Sequence, residues 1–368
     1  MSSDSLVPAQ IARMPWGLIL VVSAITGFGL VVLYSAAGGK LMPWALPQGV
    51  RYLVFLMGAM LLSRLDERQL KDIAWPAYVA IVILLIGVEG LGAVGGGSRR
   101  WLNLKVFTLQ PSELMKPAIV LALAKFYDML PAGEIRRLSA VWPAALLMGV
   151  PFLLVLVQPD LGTALMIAFG GVTAMLLAGV PKRWFIGGLL AGIALTPIAL
   201  HKMHDYQRNR IEIFLNPESD PLGTGYHIIQ SKIAIGSGGI TGKGFLQGTQ
   251  SHLDYLPEGH TDFVFATMAE EWGLLGGFGI IAAYSFVIGW GMRVAMNART
   301  RFGRIASAGL TATIFFYVAI NLLMVMGLAP VVGIPLPLVS FGGSAMMTVM
   351  ICLGLLMAIQ RHSRSRNP

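Results

Sequence analysis

The chain has 368 residues, of which 55% are hydrophobic and only 12% charged, roughly half the ~25% charged share of a soluble domain. A soluble globular domain is thereby excluded, and a polytopic membrane protein is left. The net charge of +9 could suggest nucleic acid, but its distribution argues against that partner, and the single Cys352 rules out an intrachain disulfide.

A span needs about 20 mostly apolar residues, or a few fewer. Ten are predicted, near 16–35, 48–63, 74–91, 112–127, 140–157, 161–180, 184–200, 263–292, 304–328 and 341–360. The first reads as a retained span and not a signal peptide, since Arg13 precedes it but no run of small residues closes it. The run at 263–292 is long enough for a tilted or broken helix. With the N-terminus cytoplasmic, sixteen of the 27 Lys and Arg fall on inner segments, against six of the 18 acids. That asymmetry puts both termini in the cytoplasm and explains the basic charge without nucleic acid. The predicted architecture is an all-α polytopic membrane protein. It forms one integral membrane domain over residues 1–368, with a large outer loop, 201–262, between the seventh and eighth spans.

Polar chemistry collects on the outer side. Gly95–Trp101 (GGGSRRW) offers Arg99 and Arg100 as forked donors for phosphate oxygens; the plainer reading is an interfacial anchor loop. In Gln110–Lys116 (QPSELMK), Pro111 and Glu113 suit a helix start. Lys116 lies one turn into an apolar span, where an ammonium needs a carboxylate or a wet cavity. Asp160, in Gln158–Thr163 (QPDLGT), could pair with Lys116 or Arg100, as site or as structural ion pair. Tyr226–Ile235 has the spacing of a short amphipathic helix at the interface.

Gly236–Gly244 (GSGGITGKG) fails the phosphate-loop pattern, because Ser237 takes the first Gly position and Gly244 follows Lys243 where Ser or Thr is required. It reads as a flexible flap. Leu256–Phe263 (LPEGHTDF) puts a carboxylate where a polar loop meets an apolar run. Asp262 there is a helix N-cap, a proton-handling group, or both. Glu270 and Glu271 are adjacent inside the next span and cannot share one helix face, so at least one needs a partner. Asn321 is a milder polar insertion. Val331–Ala345 is too rich in Pro and Gly for a regular helix, and such backbone is tolerated at membrane depth only when buried or lining a cavity. The histidines show no standard metal-ligand spacing.

The strings SRRWL, QPSE, QPDLGT, QS-x-x-AIGSGG-x-x-GKG, LPE-x-HTDF and G-x-x-P-x-x-G-x-PLP-x-x-S-x-GGS run in this order from Ser98 to Ser344. Together they resemble the SEDS family of shape, elongation, division and sporulation proteins, nearer the elongation member than the division member. The resemblance implies a peptidoglycan glycosyltransferase that polymerises lipid II, a disaccharide-pentapeptide on undecaprenyl diphosphate, at the outer face of the bacterial cytoplasmic membrane during elongation and shape maintenance. It also implies partnership with a class B penicillin-binding protein transpeptidase and other elongation-complex membrane proteins. By the matching motifs, Asp262 is the catalytic residue, Asp160 belongs to a central cavity, and Arg100 and Lys116 are functional. Lys105, Phe341 and Ala345 depart from the residues usual in the family, Gly, Tyr and Ser.

The expected chemistry is inverting glycosyl transfer, with Asp262 as base and a lipid diphosphate leaving. Arg99, Arg100, Asp160, Lys116, Arg210, Lys243, Glu258 and His260 form the expected substrate and diphosphate set. A divalent cation, Mg or Mn, is compatible with this chemistry, though no spacing demands one. The competing expectation is a flippase for the lipid-linked precursor: Lys116, Asp160, Glu270 and Glu271 also suit a transporter. Against it stand the outward clustering of charge and the absence of a visible inverted repeat.

Overall fold

A computed structural model describes residues 14–91, 93–95, 98–103, 108–131, 133–202, 212–214, 216, 218, 220, 223–253, 255–256 and 258–365. In chain order the helices are α1 (Trp16–Ala36), α2 (Ala45–Leu62), α3 (Glu67–Leu91), α4 (Pro111–Met129), α5 (Leu138–Val157), α6 (Leu161–Ala178), α7 (Lys182–Lys202), α8 (Thr224–Ser237), α9 (Thr249–His252), α10 (Val264–Asn297), α11 (Arg301–Val325) and α12 (Gly343–Ser365). Among the described residues, eight are long and apolar enough to cross a membrane: α1, α2, α3, α5, α6, α10, α11 and α12. The other two expected spans, 112–127 and 184–200, are also helical, as α4 and α7. α4 is set apart by carrying Glu113, Lys116, Lys125 and Asp128.

α4 is nonetheless the axis of the bundle. It packs on α3, α6, α11 and α12, and nearly every residue from Pro111 to Ala124 is buried. Small residues permit the close contacts. A Cβ on Gly309 would lie 2.6 Å from Val120, and one on Gly171 2.7 Å from Met148. α1, α2, α3 and α5 leave apolar side chains such as Leu20, Leu53, Ile83 and Leu146 exposed, as lipid-facing helices do.

One feature corrects the sequence reading and a second bears out the short helix expected in the loop. Gly95 and Ser98–Trp101 belong to a small antiparallel sheet in the order β1 (Ala93–Gly95), β2 (Ser98–Asn103), β3 (Thr108–Leu109). Ala93 faces Trp101 and Leu102 faces Leu109 across it. The all-α expectation therefore holds for the bundle but not for this small sheet. The expected outer loop 201–262 also contains a 14-residue helix, α8, packed on α10 and α11. That helix covers the proposed amphipathic segment and buries Ile228, Ser231 and Ala234.

Candidate active site

The LPEGHTDF segment is a tight turn. Glu258 has a left-handed φ of 56°, and its carbonyl accepts from Thr261 N (3.0 Å) and Phe263 N (3.2 Å). Its carboxylate accepts from Thr261 Oγ1 at 2.5 Å. Gly259 sits where a side chain would crowd Thr267 Oγ1 at 3.0 Å and the Leu256 carbonyl at 3.2 Å, and Thr267 donates to the Gly259 carbonyl at 3.0 Å. The N-cap of α10 is Phe263, with no side-chain capping bond. Asp262 lies one residue before that position.

Distant parts of the chain hold this turn. Asn321 on α11 donates from one amide nitrogen to the Asp262 carbonyl (2.8 Å) and the Ile334 carbonyl (2.7 Å), tying the turn to the Pro- and Gly-rich segment. Gly333, at φ 71°, brings that segment so close that a Cβ there would lie 3.4 Å from Asp262 Oδ2. The Phe341 amide donates to the His260 carbonyl at 2.9 Å. The His260 ring stacks on Trp44 at 4.0 Å and 8°. Burial pushes His260 below its ordinary value of 6.5, with Glu258 opposing more weakly. The Arg51 guanidinium stands 4.7 Å over the Phe341 ring. Asp262 itself is half-buried.

The Pro- and Gly-rich segment is irregular, and neighbouring groups take up several of its polar atoms, as irregular backbone in a membrane protein requires. Gln48 donates to the Ser340 carbonyl at 2.6 Å, Leu336 N donates to Ser340 Oγ at 2.8 Å, and the Tyr284 hydroxyl donates to the Pro337 carbonyl.

Arg100 and Asp160 form a second group. Arg100 donates through Nε to the Gln158 carbonyl at 2.9 Å and through Nη2 to the Pro159 carbonyl, and its Nη1 lies 3.7 Å from Asp160 Oδ2. Asp160 caps α6 by accepting from Thr163 N at 3.1 Å and accepts from Gln110 Nε2 at 3.1 Å. Of the two partners expected for Asp160, the structure selects Arg100. Gly162, two residues on, would press a Cβ within 2.8 Å of the Val332 carbonyl. The Asp160 turn and Asp262 therefore rest on the consecutive residues Val332 and Gly333.

Lys116 lies elsewhere, 1% exposed in the bundle core. It donates to Glu113 Oε1 at 2.6 Å and to the Tyr317 hydroxyl at 2.7 Å. Tyr317 in turn donates to Glu113 Oε2, and Thr348 donates to the same oxygen at 3.1 Å. Glu113, expected mainly as a helix-start residue, is the carboxylate that Lys116 required. Its ammonium is thereby taken up within the core by Glu113 and Tyr317.

The supposed flap at Gly236–Gly244 is pinned. Lys243 N donates to the Glu270 carbonyl at 3.0 Å and Gly244 N to the Glu271 carbonyl at 3.1 Å; Leu274 and Leu275 return bonds to Gly239 and Ile240 at 3.0 and 3.2 Å. This exchange fills a break in α10 at Gly273 (φ 62°, ψ −159°), so the anticipated broken helix exists and has a cause. Lys243 Nζ meets Glu270 Oε1 at 2.7 Å. The Thr249 and Gln250 amides donate to the same oxygen at 2.8 and 3.0 Å. Glu271 accepts from Ser35 instead, as two adjacent carboxylates on one helix require.

Arg99 has its backbone in β2, opposite Val94, while its side chain, together with Arg210 and Lys105, lies outside the described residues. Among the described residues no three or more His, Cys, Asp or Glu gather as a metal site. Sequence reasoning missed Arg51. The available signal was an arginine inside a span near the outer end, against the positive-inside trend.

A helical membrane bundle that holds a half-buried carboxylate on a braced turn at one end defines a class of multi-pass membrane proteins with an end-facing site. The chain belongs to the FtsW–RodA–SpoVE family of cell cycle proteins, the SEDS family, whose model matches residues 15–365. It is 42% identical over 352 residues to peptidoglycan glycosyltransferase MrdB of Escherichia coli (strain K12), covering 94% of this chain and 93% of the relative. It is 35% identical over 363 residues to the probable peptidoglycan glycosyltransferase FtsW of Trichlorobacter lovleyi, covering 96% and 94%. Its fold is similar to that of a chain solved in work on the structural coordination of polymerization and crosslinking by a peptidoglycan synthase complex, with TM-score 0.83, 34% identity and 95% and 98% coverage. It is also similar to the crystal structure of the Thermus thermophilus rod shape determining protein RodA, with TM-score 0.71, 31% identity and the same coverages. Within the family the chain is RodA-like.

Proposed function

We propose that this protein is a peptidoglycan glycosyltransferase that polymerises lipid II at the outer face of the bacterial cytoplasmic membrane during cell elongation, with Asp262 as its base. In the reaction an acceptor sugar hydroxyl gives its proton to the Asp262 carboxylate as its oxygen bonds to the anomeric carbon of the growing chain. The bond from that carbon to the diphosphate breaks, and the lipid diphosphate leaves with the electron pair. The leaving group is good without protonation, so one carboxylate suffices, unlike the acid–base pair of glycosidases. A placed base contributes roughly 10²–10⁴-fold.

The single observation carrying this reading is the braced turn: Asn321, Phe341 and Trp44 fix the backbone and ring on either side of Asp262, and Gly333 leaves room beside its carboxylate. Cations must meet the diphosphate charge as the bond breaks. Arg51, beside Phe341, is the described candidate, with Arg210 and Arg99 kept from the sequence. Arg100, Asp160 and Lys243 act through the turns they hold. Glu258 and His260 shape the acceptor side. A divalent ion would draw its donors from Asp262, Glu258 and the diphosphate oxygens.

The charge asymmetry supports ten spans with both termini cytoplasmic. The kinship to a chain of a peptidoglycan synthase complex supports a class B penicillin-binding protein as partner, alongside other elongation proteins. The flippase alternative is not favoured, since the curated relatives are named as glycosyltransferases. The test is glycan synthesis from lipid II by purified, lipid-reconstituted protein, with Asp262→Asn and with chelator. Polymer from the variant at the unmodified rate would refute the assignment of the base. Loss with chelator would show a required cation.

A further inference from the structure

A cleft of about 690 Å³ opens where α6 ends and α7 begins. Asp160 caps the opposite end of α6, and an 18-residue helix spans about 27 Å. The cleft therefore lies at the membrane face remote from Asp262. It is lined by Arg136, Lys182 and Arg183, and by the apolar side chains of Leu176, Leu177 and Val180. Lys182 and Arg183 open α7, whose first turn holds no acid. Cations at a helix N-terminus oppose the helix dipole. Among the described residues no carboxylate makes an ion pair with Arg136, Lys182 or Arg183. The neighbouring Trp184 carries the Arg183 guanidinium 5.8 Å from its ring, and its indole N–H is buried without a hydrogen-bond partner among the described residues. Elsewhere on this face Lys71 pairs with Glu67 and Asp128, and Arg361 with Asp66.

We infer that this cleft binds the headgroup of an anionic phospholipid of the facing leaflet, its phosphodiester meeting Arg136, Lys182 and Arg183 while an acyl chain lies along Leu176, Leu177 and Val180. The protein supplies three unmatched positive charges beside an apolar wall at headgroup depth. A phosphodiester on a hydrocarbon chain completes both halves, and a zwitterionic lipid offsets its own phosphate. Basic clefts between membrane helices on the cytoplasmic side are suited to such headgroups.

The test is native mass spectrometry of the full chain in detergent, titrated with phosphatidylglycerol, phosphatidylethanolamine or glycerol phosphate. Phosphatidylglycerol adducts should persist at concentrations where phosphatidylethanolamine adducts are lost. Arg136→Ala, Lys182→Ala and Arg183→Ala should each weaken them about fivefold, the worth of about one interfacial cation. Arg68→Ala, which removes a charge elsewhere on this face, should leave them unchanged. Equal retention of both lipids, or equal loss with Arg68→Ala, would overturn the site. Displacement by glycerol phosphate at matched concentration would assign the cleft to a soluble anion and overturn the lipid. No substrate is present in this measurement, so its outcome is separate from that of the polymerisation assay.

Discussion

Glu113 and Asp262 are both carboxylates at the edge of an apolar helix, and their surroundings differ in kind. Glu113 is enclosed by Lys116, Tyr317 and Thr348, all reaching its side chain. Asp262 has its carbonyl held by Asn321 and follows the stacked His260 by two residues, and it is only partly buried. A carboxylate paired on every side inside a bundle has its contacts committed to the packing. A carboxylate oriented by its main chain keeps a face for a substrate. Backbone bracing around a partly open acid therefore distinguishes a chemical site from a structural ion pair better than the presence of the acid does.

The largest effects should separate these two acids. Asp262→Asn should lower polymerisation about 10²–10⁴-fold while leaving the melting temperature in detergent nearly unchanged. Lys116→Met should do the reverse in origin. It strands the Glu113 carboxylate in the core, and breaking a buried pair costs about 3–5 kcal/mol. Its melting temperature should fall sharply, and Glu113→Gln in the same chain should restore part of the loss. A Lys116→Met protein of unchanged stability would collapse the contrast.

Smaller effects sharpen it. Gly273→Ala places a side chain 2.3 Å from Gly242 N at φ 62°, and forcing a residue into such backbone costs about 1–3 kcal/mol. The 236–244 segment should then detach from α10, which faster amide exchange at Gly242–Gly244 would report. The smallest effect concerns His260. Its folded pKa lies below 6.5 because it is buried, so the unfolded chain takes up the proton first as pH falls. Stability from this residue is complete above 6.5 and declines as pH drops from there through the folded value. His260→Phe keeps a ring against Trp44 and should flatten that decline in melting curves recorded across the acidic range.

The span pattern was legible because hydropathy is a local property. Each run from 16–35 to 341–360 became a helix, and the long run at 263–292 broke as its length allowed. The LPEGHTDF turn, the unsatisfied lysine at 116 and the irregular 331–345 segment were likewise visible, since each sets a polar or helix-breaking residue in apolar surroundings. Which groups answer them was not. Lys116 drew Glu113 three residues away and Tyr317 on another helix, where sequence left Asp160 equally open. The GSGGITGKG segment looked mobile because glycine frees the backbone. In the fold the same freedom lets Gly242 and Gly273 approach, while Lys243, Gly244, Gly239 and Ile240 exchange main-chain bonds with α10.

The sequence alone determined a multi-pass helical protein and the place of Asp262 in its motif, because apolar run length and residue order need no knowledge of neighbours. Only the tertiary structure decided that Asn321 joins Asp262 to Ile334, that Val332 and Gly333 carry both the Asp160 turn and Asp262, and that Arg51 stands over Phe341. These contacts link residues tens to hundreds of positions apart, and hydrogen-bond and packing partners at that separation are chosen by how the helices cross.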